Sequence, residues 1–140
     1  MKLSPHLDTE HGGDVLACAC GCGFGTHPDD WDALLPIIFE TIRARWGVPL
    51  RVASGCRCRD HNHDIGGEPN SQHLHGCALD IACPTSVEFS EFSALAALDT
   101  AEVTGGQGGV GFYPPRPGCV GVWVHVDTGK GLTAGRRWTR

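Results

Sequence analysis

The stretch VGVWVHVDTG, residues 120–129, alternates apolar and polar side chains. Successive side chains of a β-strand point to opposite faces. Val122, Val124 and Val126 therefore share one face, and Trp123, His125 and Asp127 share the other. The valine face belongs against a core. The other sets an imidazole beside a carboxylate under a tryptophan, a combination costly to bury without a partner. The stretch thus calls for a sheet with one apolar face and one face able to carry chemistry.

The flanking sequence supplies the other elements. In THPDDWDALLPIIFETIRARWG (26–47), Trp31, Leu34, Leu35, Ile38, Phe39, Ile42 and Trp46 recur at helical spacing and make one apolar stripe. Thr26 is placed to cap this helix, with Pro28 in the first turn and Asp29 three residues on. Pro36 should kink the helix or split it in two, and Gly47 ends it. VPLRVA (48–53) reads as a strand, and 54–70 as a polar loop with room for a helical turn. CALDIAC (77–83) is a second strand, stopped by Pro84. Thr85 and Glu88 form a capping box for a helix running to about Ala101. The glycine run 105–111 lacks the ending of a phosphate loop. It reads as a tight turn rimming a cleft, followed by a short strand at 110–113. Residues 1–27 read as irregular. RRW at 136–138 reads as a solvated tail, with contact to an anionic glycan as the alternative. This order predicts one small α+β domain over 1–140, a mainly antiparallel sheet with flanking helices. The core motifs span about 26–129, behind a Cys-rich segment at 1–25.

The chain has 140 residues, 41% of them hydrophobic, and a net charge of -5. The acidic balance argues against nucleic acid and against anionic membrane surfaces as partners. No apolar run approaches the ~18 residues of a spanning helix. MKLSPHLDTEHGG at the start lacks the apolar region of a secretory signal. The chain is expected to be a monomer made in the cytoplasm, or to be one whose signal lies outside this sequence.

SQHLHGCALDI, residues 71–81, supplies a second set of polar groups. On its strand, Asp80 shares a face with Ala78 and Ala82, which leave room above the carboxylate. Cys77, Leu79, Ile81 and Cys83 face the other way. Gly76 lets the chain turn so that His73 approaches. His73, Asp80 and His125 together are two imidazoles and a carboxylate, a catalytic-type zinc set with a fourth position open to water. The His73–Asp80 spacing alone equally fits the polar surface of a loop–strand junction. The shared face of His125 and Asp127 adds weight to the metal.

Eight cysteines stand in the chain. Cys18, Cys20 and Cys22 alternate; Cys56 and Cys58 flank Arg57, with His61 and His63 following. A second, structural zinc could draw on both clusters, but there is no C-x-x-C pair, and disulfides or inert thiols are the simpler readings. Cys77 and Cys83 read as core residues. Cys119 has no assignment.

Six motifs occur in order: SGCR (54–57), HN (61–62), GG (66–67), SQHLHGCALDI (71–81), GGVGFY (108–113) and WVHVDTG (123–129). The series resembles the zinc D-alanyl-D-alanine carboxypeptidases and their peptidoglycan endopeptidase relatives. These share a fold with lysostaphin-type enzymes and the hedgehog signalling domain. CACGCG ahead of a helix resembles phage and prophage versions. The resemblance implies zinc held by His73, Asp80 and His125, and zinc-bound water as the nucleophile. It implies that Arg57 reaches the substrate carbonyl or the developing oxyanion and that Ser71 shapes the substrate side. Trp123 itself reads as a wall for substrate, with ordinary packing as the alternative. The implied substrate is a peptide bond of the peptidoglycan stem involving D-alanine, reached by release at phage lysis if no signal exists.

The sequence departs from better-known members at one point. Several carry an acidic residue three positions before the last histidine, where this chain has Val122 on the valine face. Asp127 is the nearest carboxylate. It is either the general base or the hydrogen-bond partner that fixes the tautomer of a zinc histidine. His75 is the reserve base. A cleft that holds metal but lacks a base would instead be a non-catalytic cell-wall or protein binding module.

Overall fold

The computed structural model describes residues 2–8, 14–85, 88–118 and 121–140. Cys119 and Val120 lie outside the described residues. Two strands, β1 (Lys2–Ser4) and β2 (Leu7–Asp8), open the chain as an antiparallel pair. The sequence predicts irregular chain there. Leu7, fully buried in the core, anchors the pair.

The predicted 26–47 helix is split. A 3-10 turn, Pro28–Asp30, precedes α1, Leu34–Trp46. Pro36 falls in the first turn of α1, where the backbone N–H groups have no partner in any case. The cap lies one residue further on than predicted. Asp29 N–H donates to His27 Nδ1 at 3.1 Å, and His27 N–H donates to Asp30 Oδ2 at 3.2 Å. Thr26 Oγ1 instead donates back to the carbonyl of Gly23 at 2.6 Å. Leu35, Ile38, Phe39 and Ile42 are buried, whereas Leu34 is exposed and leaves the predicted stripe.

Strand β3 (Arg51–Ser54) and the short helix α2 (Arg59–Asp64) follow. A 3-10 turn, Gln72–His75, leads into β4 (Ala78–Ala82). Helix α3 (Phe89–Thr104) begins just after the predicted capping pair, with Thr85 Oγ1 donating to Glu88 Oε2 at 2.7 Å. Strands β5 (Val110–Tyr113) and β6 (Trp123–Asp127) complete the predicted set. The C-terminal RRW is not a solvated tail: Arg137–Thr139 forms a further strand, β7. It is held by main-chain pairing, which polar side chains do not oppose at a sheet edge.

The five strands lie in the order β3-β4-β6-β5-β7. Every neighbouring pair is antiparallel except β5 and β7, which run parallel. The α+β reading therefore holds, with a mixed rather than wholly antiparallel sheet.

The two faces divide as alternation requires. Val52, Leu79, Ile81, Val110, Val124 and Val126 form the core face, which packs on Leu35, Ile38, Phe39 and Ile42 of α1 and Phe92 and Ala96 of α3. Trp46 packs edge-on against Phe92, with ring centroids 5.2 Å apart. The two long helices cover that face and leave the other free for a site. Val122 stands before β6 and is half-buried, not a core residue. Among the described residues no helix is long and apolar enough to cross a membrane.

Candidate functional site

The open face of the sheet carries one row of aligned residues. Register pairs Ser54 with Asp80, Asp80 with His125, His125 with Gly111, and Gly111 with Trp138. The row crosses all five strands, so residues far apart in sequence meet over a width of strand spacings.

His73 joins the row from the 3-10 turn before β4. Ser71 caps that turn, its Oγ accepting from His73 N–H at 3.3 Å. Gly76 ends it at φ +65°, and a Cβ there would stand 1.7 Å from the carbonyl oxygen of Asp30. Only glycine fits such a position. The turn swings His73 back over Asp80, as the sequence predicts.

The three predicted ligands converge. Asp80 Oδ1 lies 3.1 Å from His73 Nε2 and 3.0 Å from His125 Nδ1. One ligand atom from each residue lies within 4.8 Å of the other two. The remaining ring nitrogens are committed elsewhere. His73 Nδ1 is 2.6 Å from the carbonyl of Gly55, and His125 Nε2 is 2.8 Å from Asp127 Oδ2. These partners orient both rings, so Nε2 of His73 and Nδ1 of His125 face the shared point. Two nitrogens and a carboxylate oxygen turned on one point are a donor set that fits Zn2+.

The protonation behaviour of the three groups follows from burial and from their contacts with one another. Burial alone would raise the carboxyl pKa of Asp80, but the two imidazoles outweigh it and hold it well below the carboxylate range. Burial pulls His73 down. For His125 burial acts in the same direction, yet its bonds to Asp127 and Asp80 win and lift it to about 9.

Asp127 is fully buried, and both its oxygens are engaged. Oδ1 accepts from Gly109 N–H at 2.9 Å, Gly129 N–H at 2.9 Å and the Arg136 guanidinium at 2.6 Å. Oδ2 faces His125. Burial would raise its pKa, but His125 and Arg136 bring it down to about 2.

Above the row lies a cleft of about 710 Å³ that includes Arg57, Ser71, His73, Asp80, Trp123 and His125. Arg57 Nε is buried and has no protein partner among the described residues. The loop after α2, which also lines the cleft, is held by Asn62, which is buried and donates from Nδ2 to the Glu68 carbonyl at 2.9 Å. Trp123 stacks on Tyr113, with centroids 4.5 Å apart and planes 13° from parallel. His75 is exposed and does not line the cleft.

Sequence reading missed Arg136 and Trp138. Trp138 lies across Gly111, where a Cβ would come within 2.5 Å of its ring, and against His125 at 5.1 Å between centroids. The signal was present in the glycine of GGVGFY, which makes room for a large neighbour. Its owner could not be named without the strand pairing. The glycine run does border the site as predicted, through Gly109 on Asp127.

The seven cysteines among the described residues are free thiols. Cys18, Cys20, Cys22 and Cys58 gather in one group. Cys56, His61 and His63 are not in it, and Cys77 is buried as predicted, with Cys83 partly buried against the core.

A family model described as Peptidase M15 matches residues 14–127, and the chain belongs to that family of zinc-dependent metallopeptidases. No curated protein matches the chain.

Proposed function

We propose that this M15 peptidase hydrolyses peptide bonds in the stem peptides of peptidoglycan, at a bond involving D-alanine. The reading rests on the convergence of His73 Nε2, Asp80 Oδ1 and His125 Nδ1 beneath a cleft that Arg57 also lines. The six ordered sequence motifs add the substrate class by resemblance.

Zinc held by His73, Asp80 and His125 would supply Lewis acidity to a carbonyl and a water acidified to a pKa of ~7. The chain's own residues bind and orient the substrate. Arg57 binds a substrate carboxylate or stabilises charge growing on the carbonyl oxygen, in a partly desolvated setting where such a contact is strong. Trp123 and Tyr113 give a flat apolar wall for the peptide, and Trp138 closes the cleft beside His125. Ser71 shapes the floor by holding the turn of His73.

Of the two roles open to Asp127, we assign the positioning one. A base must have an oxygen free to take a proton from water. Asp127 has none free: one oxygen faces His125 and the other takes three donors. Its work is to hold the His125 ring so that Nδ1 points at the ligand cluster.

The test is digestion of purified muropeptides by zinc-loaded protein, followed by mass spectrometry. Loss of a terminal D-alanine identifies a carboxypeptidase, and halving of cross-linked dimers an endopeptidase. Binding of muropeptides with no cleavage of either kind would overturn the proposal in favour of a binding module.

A further inference from the structure

The second cysteine group belongs to no part of the chemistry above. Cys18 Sγ and Cys20 Sγ lie 3.4 Å apart, and Cys20 Sγ and Cys58 Sγ 3.7 Å. One sulfur from each of Cys18, Cys20, Cys22 and Cys58 lies within 4.8 Å of all the others. Four sulfurs at ~2.3 Å around a tetrahedral ion would be spaced by about 3.8 Å. The neighbouring backbone favours thiolates. Cys58 N–H donates to Cys18 Sγ at 3.4 Å, and His61 N–H donates to Cys58 Sγ at 3.4 Å.

From this geometry we infer a tetrathiolate zinc site formed by Cys18, Cys20, Cys22 and Cys58, structural in role and separate from the His73–Asp80–His125 centre. Four sulfur donors with no open position are the pattern of a closed structural site, and soft thiolates select zinc over hard cations. A disulfide would use only two of the four. The inference stands independently of the peptidase reading.

The site has a position that matters. It joins the N-terminal segment to the loop between β3 and α2, where Cys58 follows Arg57 directly. That junction is already laced, since Cys56 N–H donates to the Leu16 carbonyl at 2.8 Å and Arg57 N–H to the His73 carbonyl at 3.0 Å. The Gly55 carbonyl on the same loop holds the His73 ring. A zinc at the cysteines would therefore pin the segment that presents Arg57 and orients His73.

Zinc content per chain, measured after loading and dialysis, tests the site. Wild type should hold two zinc ions, Cys20→Ser one, His73→Ala one, and Cys83→Ser, whose cysteine lies outside the group, two. Cobalt in place of zinc should give thiolate charge-transfer absorption that persists in His73→Ala and vanishes in Cys20→Ser. In the wild-type protein, alkylation followed by peptide mass mapping avoids any folding defect of variants. Cys18, Cys20, Cys22 and Cys58 should be protected until a strong chelator is added. Zinc content unchanged by Cys20→Ser, iron as the metal at the cysteines, disulfides among these four, or equal alkylation with and without zinc would each overturn the inference.

Discussion

The Arg136 guanidinium donates to Asp127 Oδ1 at 2.6 Å, and Asp127 in turn faces His125 Nε2 at 2.8 Å. The end of the chain is thereby tied to the ring that presents Nδ1 to the ligand cluster. Groups that orient metal ligands typically contribute 10- to 100-fold in metal affinity or activity. Arg136→Gln is therefore expected to weaken zinc binding at the histidine centre roughly 10-fold or more. Competition against a chromophoric chelator measures it. Unchanged affinity would remove Arg136 from the site.

Asp127→Asn separates the two roles of that carboxylate. As a positioning group, its loss lowers zinc affinity by about 10- to 100-fold, and excess zinc restores much of the turnover. As a base, its loss would leave zinc fully bound and turnover low at every zinc concentration. The bonding of both oxygens leads us to expect the first outcome.

Gly76→Ala should destabilise the fold by roughly 3 kcal/mol, from a left-handed backbone and a steric overlap together. The added Cβ would meet the Asp30 carbonyl oxygen at 1.7 Å. A fall in the urea midpoint with an unchanged slope is the expected signature. Zinc affinity should fall in parallel, because His73 hangs from the same turn.

Glu40 makes the acid stability of the chain testable away from the metal site. Burial would raise its carboxyl, but bonds from His6 and Ser4 outweigh this and leave the pKa lowered. A lowered carboxyl stabilises the fold above its unfolded value of ~4.3, and that stability is lost as pH falls through the folded value. Glu40→Gln should therefore cost stability at neutral pH and little at the acid end. Urea denaturation at a series of pH values should show the two curves converging on acidification. A constant gap would contradict the linkage.

Much of this was legible in local sequence. Alternation at 123–127 assigned both faces of β6, because the strand period is two and the valines leave no other solution, although Val122 falls outside the strand. The same logic placed Asp80 between two alanines, and Gly76 marked the turn that His73 needs. What stayed hidden was long-range. β7 has three residues, and its partner β5 is set by a parallel pairing that no local period records. Arg136 and Trp138 therefore read as tail residues. Cys58 lies 40 residues from Cys18 in sequence, so their meeting is likewise a product of the fold. Capping was misplaced by one residue because Thr26 and His27 are both able to accept a backbone N–H, and tertiary contacts decide between them.

We propose that His73, Asp80 and His125 hold the metal, and that His125 does so through Nδ1. Anomalous diffraction at the zinc absorption edge, from crystals of the zinc-loaded protein, tests it most directly. We expect a peak bonded to His73 Nε2, a carboxylate oxygen of Asp80 and His125 Nδ1, with Asp127 retained on His125 Nε2. No peak between those three residues, or a zinc bonded to His125 Nε2 with Asp127 displaced, would contradict the account.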